Sequence, residues 1–265
     1  MDNLNLYIIM EYPVKVVPNP RPLFYFKKRE LKHYKNILEG ADTNIHEQIT
    51  NIVNHMYPFP IRILDIASGG GALSLRLQDS RSEKFEDEFL NVDIIEPVEP
   101  LLFSYYQINL NDESQLSALA EEYKGHFDLI LGIETIEHLD NPRMYLFYLR
   151  QMLTEAGHLF ISTPNINNPM TRRTFYKKGK LEQFTEQDLK ESGHISVMLP
   201  HIIEPMASSV GLDLMIEYPV GLYPKFWLYP NKRSLYVTMC NLRMLRMRGS
   251  WSKLYIVKNG SMNEE

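Results

Sequence analysis

Two short stretches carry most of the side chains able to do chemistry. In "IRILDIASGGGALSLRL", residues 61–77, an apolar run ends in an acid, Asp65, and Gly69, Gly70 and Gly71 follow at once. Three glycines between a strand and a helix let a backbone approach something closely. The spacing fits a phosphate loop poorly: Gly69, Gly71 and Ser74 fill the places of G-x-G-x-x-G, with the last residue wrong. Asp65 points to a different guest, since a carboxylate at a strand end repels a pyrophosphate and attracts a cation. In "ETIEHL", Glu134, Glu137 and His138 stand at i, i+3 and i+4, which gathers two carboxylates and an imidazole on one face if the segment forms a helical turn. Such a set can organise the turn or hold a divalent ion. His138 follows a strand directly, where open α/β sheets place their ligands, and its titration range suits a general base. His194, preceded by Gly193, either reaches the same cleft or is a structural loop residue.

The surrounding segments must position these groups. "TNIHEQITNIVNHM" (43–56) sets Ile45, Ile49, Ile52, Val53 and Met56 on one helical face, and Pro58 and Pro60 stop it. "IRILDIA" reads as a buried strand, Ala72 to about Gln78 as a helix, "FLNVDII" and "SYYQINL" as the second and third strands, and "FDLILGI" as the fourth. A helix runs from Pro142 to Thr154, capped by Asp140 or Asn141 and ended by Gly157, and "GHLFISTP" is the fifth strand. "PHIIEPMASSVG" looks helical despite Pro205, and "LDLMIEYPV" and "KLYIVKN" are two final strands with an amphipathic helix around 231–247 between them. Strands without clean polar alternation, separated by helices, indicate a doubly wound α/β fold with a mostly parallel sheet, seven-stranded on this count.

The composition narrows the function classes. The chain has 265 residues, 44% of them apolar, and 33 acidic against 28 basic side chains give a formal net charge of −5. That balance argues against coating nucleic acid and suits a small-molecule partner. The single cysteine, Cys240, precludes an internal disulfide or a cysteine-based metal cluster. Early acids and scattered prolines leave no signal peptide or membrane span, so a cytoplasmic location is expected. Residues 1–42 read as a leader packed on a main domain of 43–262, with Lys27, Lys28 and Arg29 as a solvated run. Residues 166–196 are too long and polar for a simple connection and are expected to form a lid or a substrate-facing insertion. Its Arg172, Arg173, Lys177, Lys178 and Lys180, interleaved with Phe175 and Tyr176, are a solvated face or a seat for an anionic substrate. Tyr223, Phe226, Trp227 and Tyr229 cover the core or line an acceptor pocket.

"ILDIASGGG" resembles the glycine-rich motif of class I S-adenosylmethionine-dependent methyltransferases, with Ala67 in place of the first glycine. "FDLILGIETIEHLDNPRMYLFYLRQMLTEAGHLFISTPN" resembles the subgroup that includes ubiquinone-biosynthesis O-methyltransferases. The likeness covers about residues 43 to 165. It implies a seven-stranded class I methyltransferase sheet whose last two strands form an antiparallel edge pair. It also implies S-adenosylmethionine as cofactor, with Asp65, Ala67, Gly69 and Gly71 at its methionine portion. Asp93, or else Glu96, would take the ribose hydroxyls. Asn109 or Asp112 would face the adenine, and Glu134 the cofactor. His138 and His194 are then the candidate catalytic residues, the acceptor a small molecule methylated on oxygen, and no tightly bound metal is expected. The altered first glycine keeps one alternative in view: a degenerate member that senses the cofactor or acts as a scaffold. A nicotinamide oxidoreductase is disfavoured by Asp65 and Ser74.

Overall fold

A computed structural model describes residues 33–41, 44–95, 103–221 and 252–260. Glu96, the leader before residue 33, Cys240, the aromatic group at 223–229 and the expected helix at 231–247 lie outside these residues. The first described element is a hairpin, β1 (His33–Tyr34) and β2 (Ile37–Leu38). Its turn residues Lys35 and Asn36 both take positive φ, 45° and 75°, as a two-residue turn matched to strand twist requires.

The main body alternates as the apolar runs dictate. In chain order come α1 (Ile45–Met56), β3 (Arg62–Ile66), α2 (Ala72–Arg81), β4 (Glu88–Asp93), β5 (Ser104–Gln107), α3 (Glu113–Glu122) and β6 (Phe127–Gly132). They are followed by α4 (Pro142–Met152), β7 (Leu153–Pro164), α5 (Pro169–Lys178), α6 (Glu186–Ser192), α7 (Pro200–Ser208), β8 (Leu212–Val220) and β9 (Ser252–Asn259). The seven-stranded sheet has the order β5-β4-β3-β6-β7-β9-β8, and β9 runs antiparallel between β7 and β8. The expected mostly parallel sheet with an antiparallel edge pair is therefore present. Among the described residues no helix is long and apolar enough to cross a membrane.

Alternation along β3 divides the core into two layers. Ile63 joins Ile45, Ile49, Val53, Leu73 and Leu77 of α1 and α2, whereas Leu64 and Ile66 join Leu116, Leu146, Leu149 and Ile203 of α3, α4 and α7. Asp65, two residues after Ile63, thus faces the α1/α2 layer. It is a carboxylate in an otherwise apolar position.

Two expectations about element bounds are corrected, and one alternative is resolved. Helix α4 ends at Met152 and passes directly into β7, so Gly157 is not its cap. Gly157 instead lies in the strand where the β6/β7 register shifts, and a Cβ there would come within 3.0 Å of the Phe127 carbonyl. Asn141, of the two proposed caps, is the one whose side chain accepts from the Met144 amide. Finally, the third strand stops at Gln107, and α3 follows where no helix was expected.

Candidate functional site

The ends of β3, β4 and β6 meet at one edge, and the loops leaving them bring together most of the candidate residues. After β3 the chain turns sharply: Ala67, Gly69 and Gly71 take φ of 60°, 56° and 78°. Glycine adopts this region readily, but Ala67 does so at a cost of about 1 kcal/mol. The Gly69 amide donates to Asp93 Oδ2 at 2.7 Å, and the Ile95 amide to Asp93 Oδ1 at 3.0 Å. Asp93 therefore fixes the glycine loop while keeping lone pairs for a diol. Among the described residues nothing lies within 4 Å of where a Gly69 Cβ would stand, so the loop is open at that point. Gly70 faces the opposite way, and a Cβ there would collide with Ile37 of the hairpin at 2.7 Å.

Asp65 is buried and accepts from the Ser74 hydroxyl at 2.7 Å. Burial pushes its carboxyl up to about 6, Ser74 counters through its hydroxyl and amide, and the nearby Asp93 carboxylate adds to the rise. Neither Ser74 nor its second neighbour Asn91 was singled out by sequence. Ser74 was legible only as a mismatch to a phosphate-loop pattern, and Asn91 only as a polar residue in an apolar strand.

The loop after β6 does not gather Glu134, Glu137 and His138 as the spacing suggested. Only Ile136–His138 forms a turn, of 3-10 type, and Glu134 precedes it with φ of 50°. The Glu134 carboxylate is held by the hydroxyls of Ser162 (2.8 Å) and Ser252 (3.2 Å), from β7 and β9. Glu137 is fully buried, and its carbonyl accepts from the amides of Ile195 and Ser196, both at 2.9 Å. That pairing brings His194 alongside His138, with ring centroids 4.9 Å apart. Burial, and then the neighbouring imidazole, holds His138 below the usual histidine range. His194 is fixed by the Gln183 carbonyl 2.6 Å from Nδ1 and by the Phe184 ring. Glu137, His138 and His194 each place one ligand atom within 4.8 Å of the others, close enough to share a divalent cation.

On the third-strand side the candidates also take part in local structure. Asp112 caps α3, accepting from the amides of Ser114 and Gln115 and from both their side chains. Asn109 is exposed and accepts from the Asn111 amide at 3.0 Å.

The family model described as a methyltransferase domain matches residues 35–215. The chain belongs to that methyltransferase family. This methyltransferase is 29% identical over 164 residues to the ubiquinone biosynthesis O-methyltransferase of Nitrosococcus oceani, covering 58% of the chain and 65% of that relative. With the Shewanella halifaxensis enzyme of the same name it shares 27% over 113 residues, 41% of the chain and 46% of the relative. The chain thus spans between about half and two thirds of these curated relatives. A SAM-dependent methyltransferase from Archaeoglobus fulgidus has the same fold, with TM-score 0.51, 16% identity, and coverage of 80% of this chain and 94% of that one. The Burkholderia thailandensis 1,6-didemethyltoxoflavin-N1-methyltransferase is also similar, with TM-score 0.51, 11% identity and coverage of 82% and 78%. Family and fold bear out the sequence resemblance and support S-adenosylmethionine as the methyl donor of this methyltransferase.

Proposed function

We propose that this protein transfers a methyl group from S-adenosylmethionine to an oxygen of a small molecule, within a domain spanning residues 43–262. The observation that carries the reading is the open glycine loop, with the carboxylates of Asp65 and Asp93 at its base and two imidazoles across the same edge. Asp65 suits the donor's ammonium group, and Asp93, the described one of the two ribose candidates, suits the ribose hydroxyls. Gly69 and Gly71 let the methionine portion approach the backbone, and Glu134 takes the cofactor-facing role that the resemblance implies. The donor brings a methyl group on a cationic sulfur, displaced in line, so the protein supplies position, excludes water and removes a proton where the acceptor has one to lose. His138, kept neutral at physiological pH by burial, takes that proton, and His194 holds the acceptor beside it. Residues 166–196 cover the acceptor side, and ligands should protect them from proteolysis. The acidic net charge favours a small acceptor over nucleic acid, and a cytoplasmic location fits the same reading.

The test is transfer of labelled methyl from S-adenosylmethionine to a panel of hydroxyl, amine and carbon acceptors, with donor binding measured by calorimetry. His138→Ala should lower kcat at least about a hundredfold while donor affinity stays the same. Methylation confined to nitrogen or carbon, or an undiminished His138→Ala enzyme, would overturn the oxygen reading. Binding without turnover on any acceptor would favour a cofactor sensor, the role that Ala67 alone hints at. A purified sample holding stoichiometric divalent metal, lost on Glu137→Ala, would make His138 a ligand instead of a base.

A further inference from the structure

We propose that Ser74 and Asn91 are positioning residues for the methyl donor: they form a neutral, buried donor chain that holds the Asp65 carboxylate against the glycine loop, where it receives the donor's cationic end. The inference rests on the cofactor reading above and adds two residues that neither the glycine motif nor the family match assigns.

The argument begins with place. Asp65 and Asn91 are direct neighbours in the β3/β4 register, and α2 lays Ser74 over both. All three are buried, with Ser74 and Asn91 at 0% exposure. The Ser74 hydroxyl lies 2.7 Å from Asp65 Oδ2 and 3.0 Å from Asn91 Oδ1. One hydroxyl carries one proton, and the shorter contact to a carboxylate claims it. The amide of Asn91 must then present its nitrogen to the Ser74 oxygen. The same rotation gives a partner to Asn91 Nδ2, which has none in the opposite orientation. Proton donation thus runs in one direction, from Asn91 to Ser74 to Asp65, and each bond polarises the next toward the carboxylate.

Charge explains why such a chain is needed. The titratable groups that interact electrostatically with Asp65 are Asp93 from β4 and the Tyr145 hydroxyl from α4. Neither is cationic, so among the described residues the donors that keep this carboxylate charged in an apolar layer are neutral. A lysine or arginine in that place would neutralise Asp65 permanently and remove its attraction for a cationic ligand. A hydroxyl and an amide orient it and leave the charge for the guest to balance. If the three residues served folding alone, two apolar side chains and a leucine in place of Asp65 would do so at lower cost.

The experiment is calorimetric titration of the full chain with S-adenosylhomocysteine between pH 5 and 8, in buffers of different ionisation heat so that proton release is counted. Wild type should bind more weakly as pH falls through about 6, because the cationic guest needs the ionised carboxylate, and binding near that pH should release protons. Ser74→Ala should weaken binding about tenfold at pH 7 and move the pH midpoint upward by about one unit. Ser74→Cys keeps the unbranched shape, slightly enlarged, with a weaker donor and should fall between, which secures the test if the alanine variant folds poorly. Unchanged midpoint and proton release in both variants, even with a lowered Tm, would overturn the proposal and leave a merely structural trio. Failure of the wild type to bind would instead overturn the cofactor reading itself.

Discussion

Where β3, β4 and β6 begin, Arg81 lies against Asp87 and Arg62 against Asp128; where the same strands end, Asp65 and Asp93 are met by hydroxyls and backbone amides. At the first edge Arg81 is 1% exposed and has every direction filled: Asp87, the carbonyls of Tyr57 and Phe59 at 2.8 Å each, and the ring of Phe85 beneath it. Tyr57 meets His158 Nδ1 at 2.8 Å, and Arg62 grips Asp128 with both its amide and its guanidinium. At the second edge backbone strain collects at Ala67 and Glu134, and the Tyr145 hydroxyl, fully buried, has no hydrogen-bond partner among the described residues. One edge is closed by ion pairs, and the other, on the proposed function, receives the donor. Stability and function are therefore separable along the length of the same strands.

The largest test of that separation is Arg81. Arg81→Met should cost about 3–5 kcal/mol, because Asp87 is left buried and unpaired, while donor affinity per folded molecule is unchanged. Urea denaturation beside calorimetry checks both halves, and Arg81→Lys serves if the methionine variant does not fold. Lost affinity in the folded fraction would merge the two edges.

Asp65→Asn should act in the opposite sense. An acid whose folded value lies near 6 instead of 3.8 carries a penalty that is complete above about pH 6 and disappears as pH falls toward 4. The variant should gain up to about 3 kcal/mol at pH 7 and lose most of its donor affinity. Equal stability at pH 7 would show that the site edge stores no such cost.

His158 has the mirror behaviour. Burial lowers it to about 4 from 6.5, so the unfolded chain binds the extra proton between those values, and stability rises with pH across that window. Asp65 contributes a fall over nearly the same range, so their effects on the wild type largely cancel. In Asp65→Asn the His158 slope should stand alone, roughly 3 kcal/mol lower at pH 4 than at pH 7. His158→Gln should expose the Asp65 slope instead. Melting curves at pH 4.5 and 7 distinguish the cases.

Ala67→Gly should show the smallest of these stability effects. Relieving a left-handed alanine is worth about 1 kcal/mol, and the loop should accept the donor at least as tightly. A destabilised variant would mean that the methyl packs well enough to outweigh its strain.

Much of this was legible from local signals. The succession of strands along the chain followed from apolar runs, and the glycine loop follows β3 as its motif indicated. What escaped reading depends on contacts distant in sequence. Ser74 and Asn91 acquire meaning only through the β3/β4 register and the lie of α2 over it. His194 reaches His138 because Ile195 and Ser196 pair with the Glu137 carbonyl nearly sixty residues away. Asp112 shows the converse: an acid opening a helix and an acid facing a ligand look alike in sequence, and the capping of α3 is seen only in the structure. The helices inside 166–196 were signalled more plainly than the polar composition suggested, since Thr185 and Asp188 form a capping box and Gly193 closes α6 at φ 70°.

The contact between Ile37 and Gly70 has a consequence in time as well as in space. The hairpin is held to α2 by Tyr34 and Lys35 on Asp79 and by Glu39 on Arg76, which itself stacks on Tyr34. Any opening of the glycine loop would have to move Gly70 past this clasp, so we expect its rate to depend partly on the hairpin. The Gly69 amide, bonded to Asp93, reports that motion directly. Its hydrogen exchange should quicken when Arg76→Met loosens the clasp, with the amides of β3 unaffected.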